Sequence, residues 1–149
     1  MKRSISNISI DSALYAKSIR LNQVACTLHV CTSCRPPGFP REPRENRPGF
    51  LLHQTLTKLI EEQGLSCRVN LKSAECLSLC SRPCGIALTS VGSWTYLFGD
   101  QDPDQTAEDI LSCILIYIES SQGFMPRNKR PTNLRSSILG RVPPHDQFK

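Results

Sequence analysis

Val24-Ala25-Cys26-Thr27-Leu28-His29-Val30-Cys31-Thr32-Ser33-Cys34 is the stretch on which the fold turns. Val24, Cys26, Leu28 and Val30 alternate with Ala25, Thr27 and His29, the period-2 signature of a strand with one buried face. Such a strand delivers Cys31 and Cys34 to its carboxyl end. Residues 35–44 follow with four prolines and a glycine, a composition that forbids regular structure. A helix is expected next, opened by Pro48. Leu52, Leu56, Leu59 and Ile60 form its buried stripe, and Gly64 is a natural stop.

Leu65, Cys67, Val69 and Leu71 alternate again and predict a second strand. It runs towards Cys76-Leu-Ser-Leu-Cys80-Ser-Arg-Pro-Cys84. Ile86–Val91, a turn at Gly92-Ser93 and Trp94–Phe98 read as a hairpin. A last helix is marked by Asp102 as cap, Pro103 at its first position and Gln105 completing a capping box. Its stripe is Ile110, Leu111, Ile114, Leu115 and Ile118. The order is β-α-β-β-β-α. A right-handed crossover makes the first two strands parallel, and the hairpin adds antiparallel ones. The expected fold class is α/β, a mixed four-stranded sheet with two main helices, compatible with a thioredoxin-like fold. The domain is placed at 24–122, between a polar, flexible segment at 1–23 and a basic, proline-containing tail at 123–149.

At 149 residues, 39% hydrophobic and 21% charged, the chain suits one globular domain. The net charge of +5 resides at the ends. Residues 1–23 carry four basic side chains and one acidic, and 125–149 carry six and one, whereas 24–124 carry eight and eleven. Nucleic-acid binding is not expected, because Phe148 is the only aromatic in 125–149. The apolar run Ile114–Ile118 falls far short of the roughly 20 residues of a membrane helix. Met1–Gln23 has the serine-rich composition of a short transit peptide but no apolar core of a secretory signal. A secreted disulfide scaffold is thus not expected. Of the eight cysteines, the five spaced in loops are assigned to metal or redox work in a reducing compartment, the cytoplasm.

Two cysteine groups fall in loops: Cys31-x2-Cys34 after the first strand, and Cys76-x3-Cys80-x3-Cys84 after the second. Parallel strands bring both loops to one sheet edge, the ordinary place for a site in an open α/β sheet. Thiolate-only donor sets select zinc, copper(I) or iron–sulfur clusters, and four suffice for tetrahedral zinc or a 2Fe–2S cluster. Cys26, Cys67 and Cys113 are assigned to the core as small hydrophobes. Enzymatic alternatives are weaker. A thioredoxin-type dithiol at Cys31 and Cys34 needs a helix N-terminus to lower a thiol pKa, yet the helix begins well downstream. His29, His53 and His145 have no nucleophile or carboxylate partner nearby in sequence. Asp100, Asp102 and Asp104 fit helix capping better than a calcium loop. No phosphate-binding glycine loop is present, and no enzymatic activity is expected.

Cys76-Leu-Ser-Leu-Cys80 with the following Arg-Pro and strand resembles the second half of the thioredoxin-like 2Fe–2S ferredoxins, and is similar to the small iron–sulfur subunit of respiratory NADH dehydrogenase. Cys31 with Arg35-Pro-Pro-Gly-Phe-Pro resembles the first cluster loop of those ferredoxins. A family of small bacterial proteins of unknown function, described as predicted metal-binding, is resembled more closely still. Its hallmarks here are Val30-Cys-Thr-Ser-Cys34, Glu75–Cys84, Trp94-Thr-Tyr-Leu-Phe-Gly-Asp100 and the segment 127–144. The ferredoxin resemblance implies Cys31, Cys76 and Cys80 as ligands. The second ferredoxin ligand falls near Arg44, which cannot ligate, so Cys34 is favoured as the fourth and Cys84 is the alternative. It implies a 2Fe–2S electron carrier with a protein redox partner, with Arg35, Arg82 and the amides near Gly85 set to screen the cluster. The alternative it leaves is a zinc-binding or metal-handling accessory protein, to which genomic association in the resembled family adds a link with cobalamin synthesis.

Overall fold

The computed structural model describes residues 23–145. The expected flexible segment at 1–23 lies outside the described residues except for Gln23. Strand β1 (Cys26–Cys31) carries the predicted alternation: Cys26, Leu28 and Val30 are buried and Thr27 and His29 half-buried. Helix α1 (Pro48–Glu62) has proline in its first turn and buries Gly49, Leu52, Leu56 and Ile60 at helical spacing. Strand β2 (Val69–Ala74) lies parallel to β1, with Cys26 opposite Val69 and Cys31 opposite Ala74. Strands β3 (Ile86–Thr89) and β4 (Thr95–Phe98) form the hairpin, and β3 pairs antiparallel with β1.

Helix α2 (Ala107–Glu119) buries Ile110, Leu111, Cys113, Ile114 and Tyr117. It packs against α1, and their stripes share one core with Leu28, Val30, Leu88 and Phe98. Full burial of each such side chain contributes about 1.5–3 kcal/mol. Tyr117 donates its hydroxyl to the Trp94 carbonyl at 2.6 Å, and the Tyr96 hydroxyl accepts the Met125 N–H at 2.8 Å. Among the described residues no helix is long and apolar enough to cross a membrane.

The sheet has five strands rather than four, in the order β2-β1-β3-β4-β5. The fifth, β5 (Ile138–Val142), pairs antiparallel with β4 and comes from the segment expected as a tail. A short third helix, α3 (Asn133–Ser136), precedes it. Met125 and Leu134 from the same segment are 1% and 0% exposed. Apolar residues spaced through a basic, proline-containing stretch thus pin it to the body.

Several local expectations also differ: Val24, placed on the buried face of the first strand, and Leu115, placed in the buried stripe of the last helix, are exposed. Residues 66–68 form a turn, so β2 starts at Val69 and Cys67 is exposed rather than in the core. Asp102 caps as expected, with Oδ1 accepting the N–H groups of Asp104 (2.8 Å) and Gln105 (3.0 Å). The turn it caps, however, lies ahead of α2, which begins at Ala107.

Candidate metal centre

Because β1 and β2 are parallel and in register to their ends, both chains leave the sheet at one edge. The first cysteine loop is anchored there by backbone. Cys31 donates its N–H to the Gly85 carbonyl (3.1 Å), and Thr32 donates to Ala74 O through its N–H (2.9 Å) and hydroxyl (3.3 Å). The proline-rich connection then folds back, so that the first turn of α1 meets this loop. Gly49 donates its N–H to Cys34 O at 3.1 Å, and its missing side chain makes room for the Cys31 carbonyl.

The second cysteine loop is held from its far end. Gly85 lets Leu79 seat; a Cβ there would stand 2.7 Å from Leu79 Cδ1. Cys84 and Gln101 exchange backbone hydrogen bonds at 3.3 and 3.1 Å. The Arg82 guanidinium pairs with the Asp100 carboxylate and also donates to the Ser136 carbonyl at 3.3 Å. Arg82, expected to screen a cluster, is thus spent on bracing its loop. Arg35 lines the pocket described next, with Nη1 donating to Phe39 O at 2.7 Å.

Between the loops lies a pocket of about 410 Å³ lined by Cys31, Cys34, Cys76 and Cys80, with Arg35, Arg41 and Arg47 on its walls. The four thiols favoured from sequence therefore meet on one cavity. Cys84 does not line it. It is 2% exposed, with its thiol 3.9 Å from Cys34 O. Cys31 and Cys34 are 1% and 4% exposed, whereas Cys76 and Cys80 are exposed. Cys26 and Cys113 are buried as expected, and all eight thiols are free.

Both thiols of the first loop are held on the protonated side. A hydrogen bond with Cys34, followed by burial, holds the Cys31 thiol well above its ordinary pKa. For Cys34 the hydrogen bond with Cys31 pulls down, contact with Cys84 and burial push up, and the net shift is upward. In kind and number the four thiols fit a soft metal or a 2Fe–2S cluster. Among the described residues, however, no three ligating side chains stand close enough to hold an ion as placed. Ligation by all four thiols therefore requires the two loops to rearrange.

Sequence reasoning missed Gly49 and the pocket-lining Arg41 and Arg47, and it gave other roles to Gly85, which seats Leu79, and to Asp100, which pairs with Arg82 rather than capping a helix. The Pro48-Gly49 start of α1 was the one available signal, since glycine early in a helix marks close backbone approach.

The fold is similar to that of a thioredoxin-like [2Fe-2S] ferredoxin from Aquifex aeolicus. That structure is 15% identical, with a TM-score of 0.50 over 85% of this chain and 99% of that one. A second structure, of the wild-type thioredoxin-like [2Fe-2S] ferredoxin from the same organism, is 15% identical with a TM-score of 0.49 over 79% and 98%. At this identity the likeness is one of fold. No curated protein matches. Residues 28–144, spanning both cysteine loops and the C-terminal strand, match the model of the family described as Protein of unknown function (DUF1636), and the chain belongs to that family.

Proposed function

We propose that Cys31, Cys34, Cys76 and Cys80 hold a 2Fe–2S cluster and that the protein is a one-electron carrier rather than an enzyme. The observation that carries this reading is the lining of one pocket by four thiols from two loops at a single sheet edge. When bound, the cluster supplies a centre that accepts and returns one electron. The chain's own residues do the rest. Backbone anchors fix Cys31 and Cys34, the Arg82–Asp100 pair braces the loop that brings Cys76 and Cys80, and Arg35 and Arg47 place positive charge beside an anionic thiolate set. A reducing compartment, the cytoplasm, suits a thiol site, and the electron passes to and from a partner protein.

Anaerobic purification followed by a visible spectrum and assays of iron, acid-labile sulfide and zinc tests this directly. Charge-transfer absorption with two irons and two sulfides per chain is the expected result. A colourless protein holding one zinc would replace the carrier with a structural or metal-handling site on the same thiols. Cys34→Ser is expected to abolish the cluster and Cys84→Ser to retain it, because only Cys34 faces the pocket.

A further inference from the structure

Charge is distributed over this chain with a bias that tracks the thiol pocket. Within 24–124, the segments 31–47 and 76–84 hold five basic side chains (Arg35, Arg41, Arg44, Arg47 and Arg82) against two acidic ones, Glu42 and Glu45. The remainder of that span holds three basic and nine acidic side chains. Asp100, paired with Arg82, and Glu75, whose carbonyl meets the Cys31 thiol, stand at the same edge. The cysteine edge is therefore net positive by one charge on an acidic body, and such asymmetry steers oppositely charged partners.

The five arginines differ in how their charge is used. Arg82 is tied to Asp100 and Ser136. Arg35 is tied to Phe39 O, and Arg47, its side chain only 15% exposed, donates to Arg41 O at 2.9 Å and pairs with the Glu42 carboxylate at 3.9 Å. Arg44 is exposed and reaches Ser33 Oγ at 3.4 Å. Arg41 is exposed on the pocket wall, and among the described residues its side chain makes no hydrogen bond or ion pair. Arg35 thus lines the pocket and Arg47 offsets the exposed Glu42; against the exposed Glu45, Arg41 and Arg44 project a net positive charge outward. Both sit on the connection that contains Pro36, Pro37, Pro40 and Pro43. Its backbone is stiffened by proline, so little ordering entropy is lost when a partner lands.

We propose that Arg41 and Arg44, on this proline-rich loop, form the docking face for an acidic surface of the protein that exchanges electrons with this chain. The proposal rests on the cluster reading above. It places the point of contact at the mouth of the pocket, where a partner's redox group comes nearest to the thiols. Exposed charges of this kind act mainly on the encounter rate and are screened by salt.

Two measurements on the full chain test it. In the first, a fluorescein-labelled oligoglutamate peptide is titrated at low ionic strength and read by anisotropy. Reversal in Arg41→Glu/Arg44→Glu is expected to weaken binding by about tenfold or more, neutralisation in Arg41→Gln/Arg44→Gln by less, and added salt to remove it. The control Arg127→Glu/Lys129→Glu, in the separate basic segment, should change it by less than about twofold. An equal loss in the control, or no loss in either Arg41/Arg44 variant, overturns the proposal. So does tighter, Arg41- and Arg44-dependent binding to phosphatidylglycerol vesicles, which would make the face a membrane contact.

The second measurement follows oxidation of the reconstituted, reduced protein by hexacyanoferrate(III) and by hexaamminecobalt(III). The anionic oxidant should be favoured, and charge reversal should lower its advantage by about tenfold. An unchanged ratio overturns the proposal. Failure to form any chromophore would refute the cluster itself, while the peptide titration still decides whether the face recognises acidic surfaces.

Discussion

Gly49 gives its backbone N–H to the carbonyl of Cys34 at 3.1 Å, tying the first turn of a helix to a cysteine loop that precedes it by a long proline-rich connection. A Cβ at Gly49 would overlap the Cys31 carbonyl oxygen and stand 3.1 Å from Cys34 Cβ. Gly49→Ala should therefore push α1 away from both thiols. The expected cost is ~1–3 kcal/mol of stability, typical of overpacking, together with a clear drop in metal retained per chain. Denaturant unfolding and metal analysis of the same sample check both.

Thiol exposure predicts an order of chemical modification. Without metal, Cys67, Cys76 and Cys80 are exposed and should be alkylated first under native conditions. Cys26 and Cys113 should resist, since burial raises their pKa to about 11 and about 12 and so suppresses the reactive thiolate. With the site loaded, Cys76 and Cys80 should become protected and Cys67 alone stay fast. Peptide mapping by mass spectrometry after brief alkylation reads this pattern.

Alkali should destabilise the fold through the same two buried thiols. Their folded pKa values lie above the ordinary 9.0, so the folded state keeps protons that the unfolded chain has released. Their contribution is complete below about pH 9. It is lost as pH rises through about 11 for Cys26 and about 12 for Cys113, at no more than about 1.4 kcal/mol per pH unit for each thiol. Unfolding free energies measured from neutral pH upward should fall beyond pH 9, and Cys113→Ala should fall less steeply from its lower starting value.

Asp100→Asn tests the brace on the second loop. The Arg82 and Asp100 side chains are 40% and 46% exposed, so a solvent-screened pair contributes little to global stability. Asparagine also tolerates the positive φ of 56° at this position. The expected outcome is a near-normal melting temperature with faster amide exchange over 76–84 and faster loss of bound metal.

Much of this was legible in the residues. The alternation in β1, the Pro48 start of α1 and the hairpin gave the sheet its first four strands, and parallel pairing of β1 with β2 brought the cysteine loops together. What stayed hidden depends on distant contacts. Ile138–Val142 has no strand-like alternation of burial, and its pairing with β4 shifts register at Leu97 and Phe98, so no local pattern announces β5. Cys67 sits in an apparent period-2 run that a turn interrupts. The support that α1 lends to Cys34 was signalled only by Gly49 early in the helix, because four prolines and a glycine do not say where the connection will return.

Synthesis order adds a last consequence of the bond from Gly99 N–H to Ser137 O and the reach of Arg82 to Ser136 O. Both cysteine loops leave the ribosome before the residues that steady the second one. A nascent chain thus presents its thiols while that loop is still unbraced, open to whichever soft ion arrives first. On the proposed reading, metallation then depends on whether the carboxyl-terminal strand docks before or after the first ion binds.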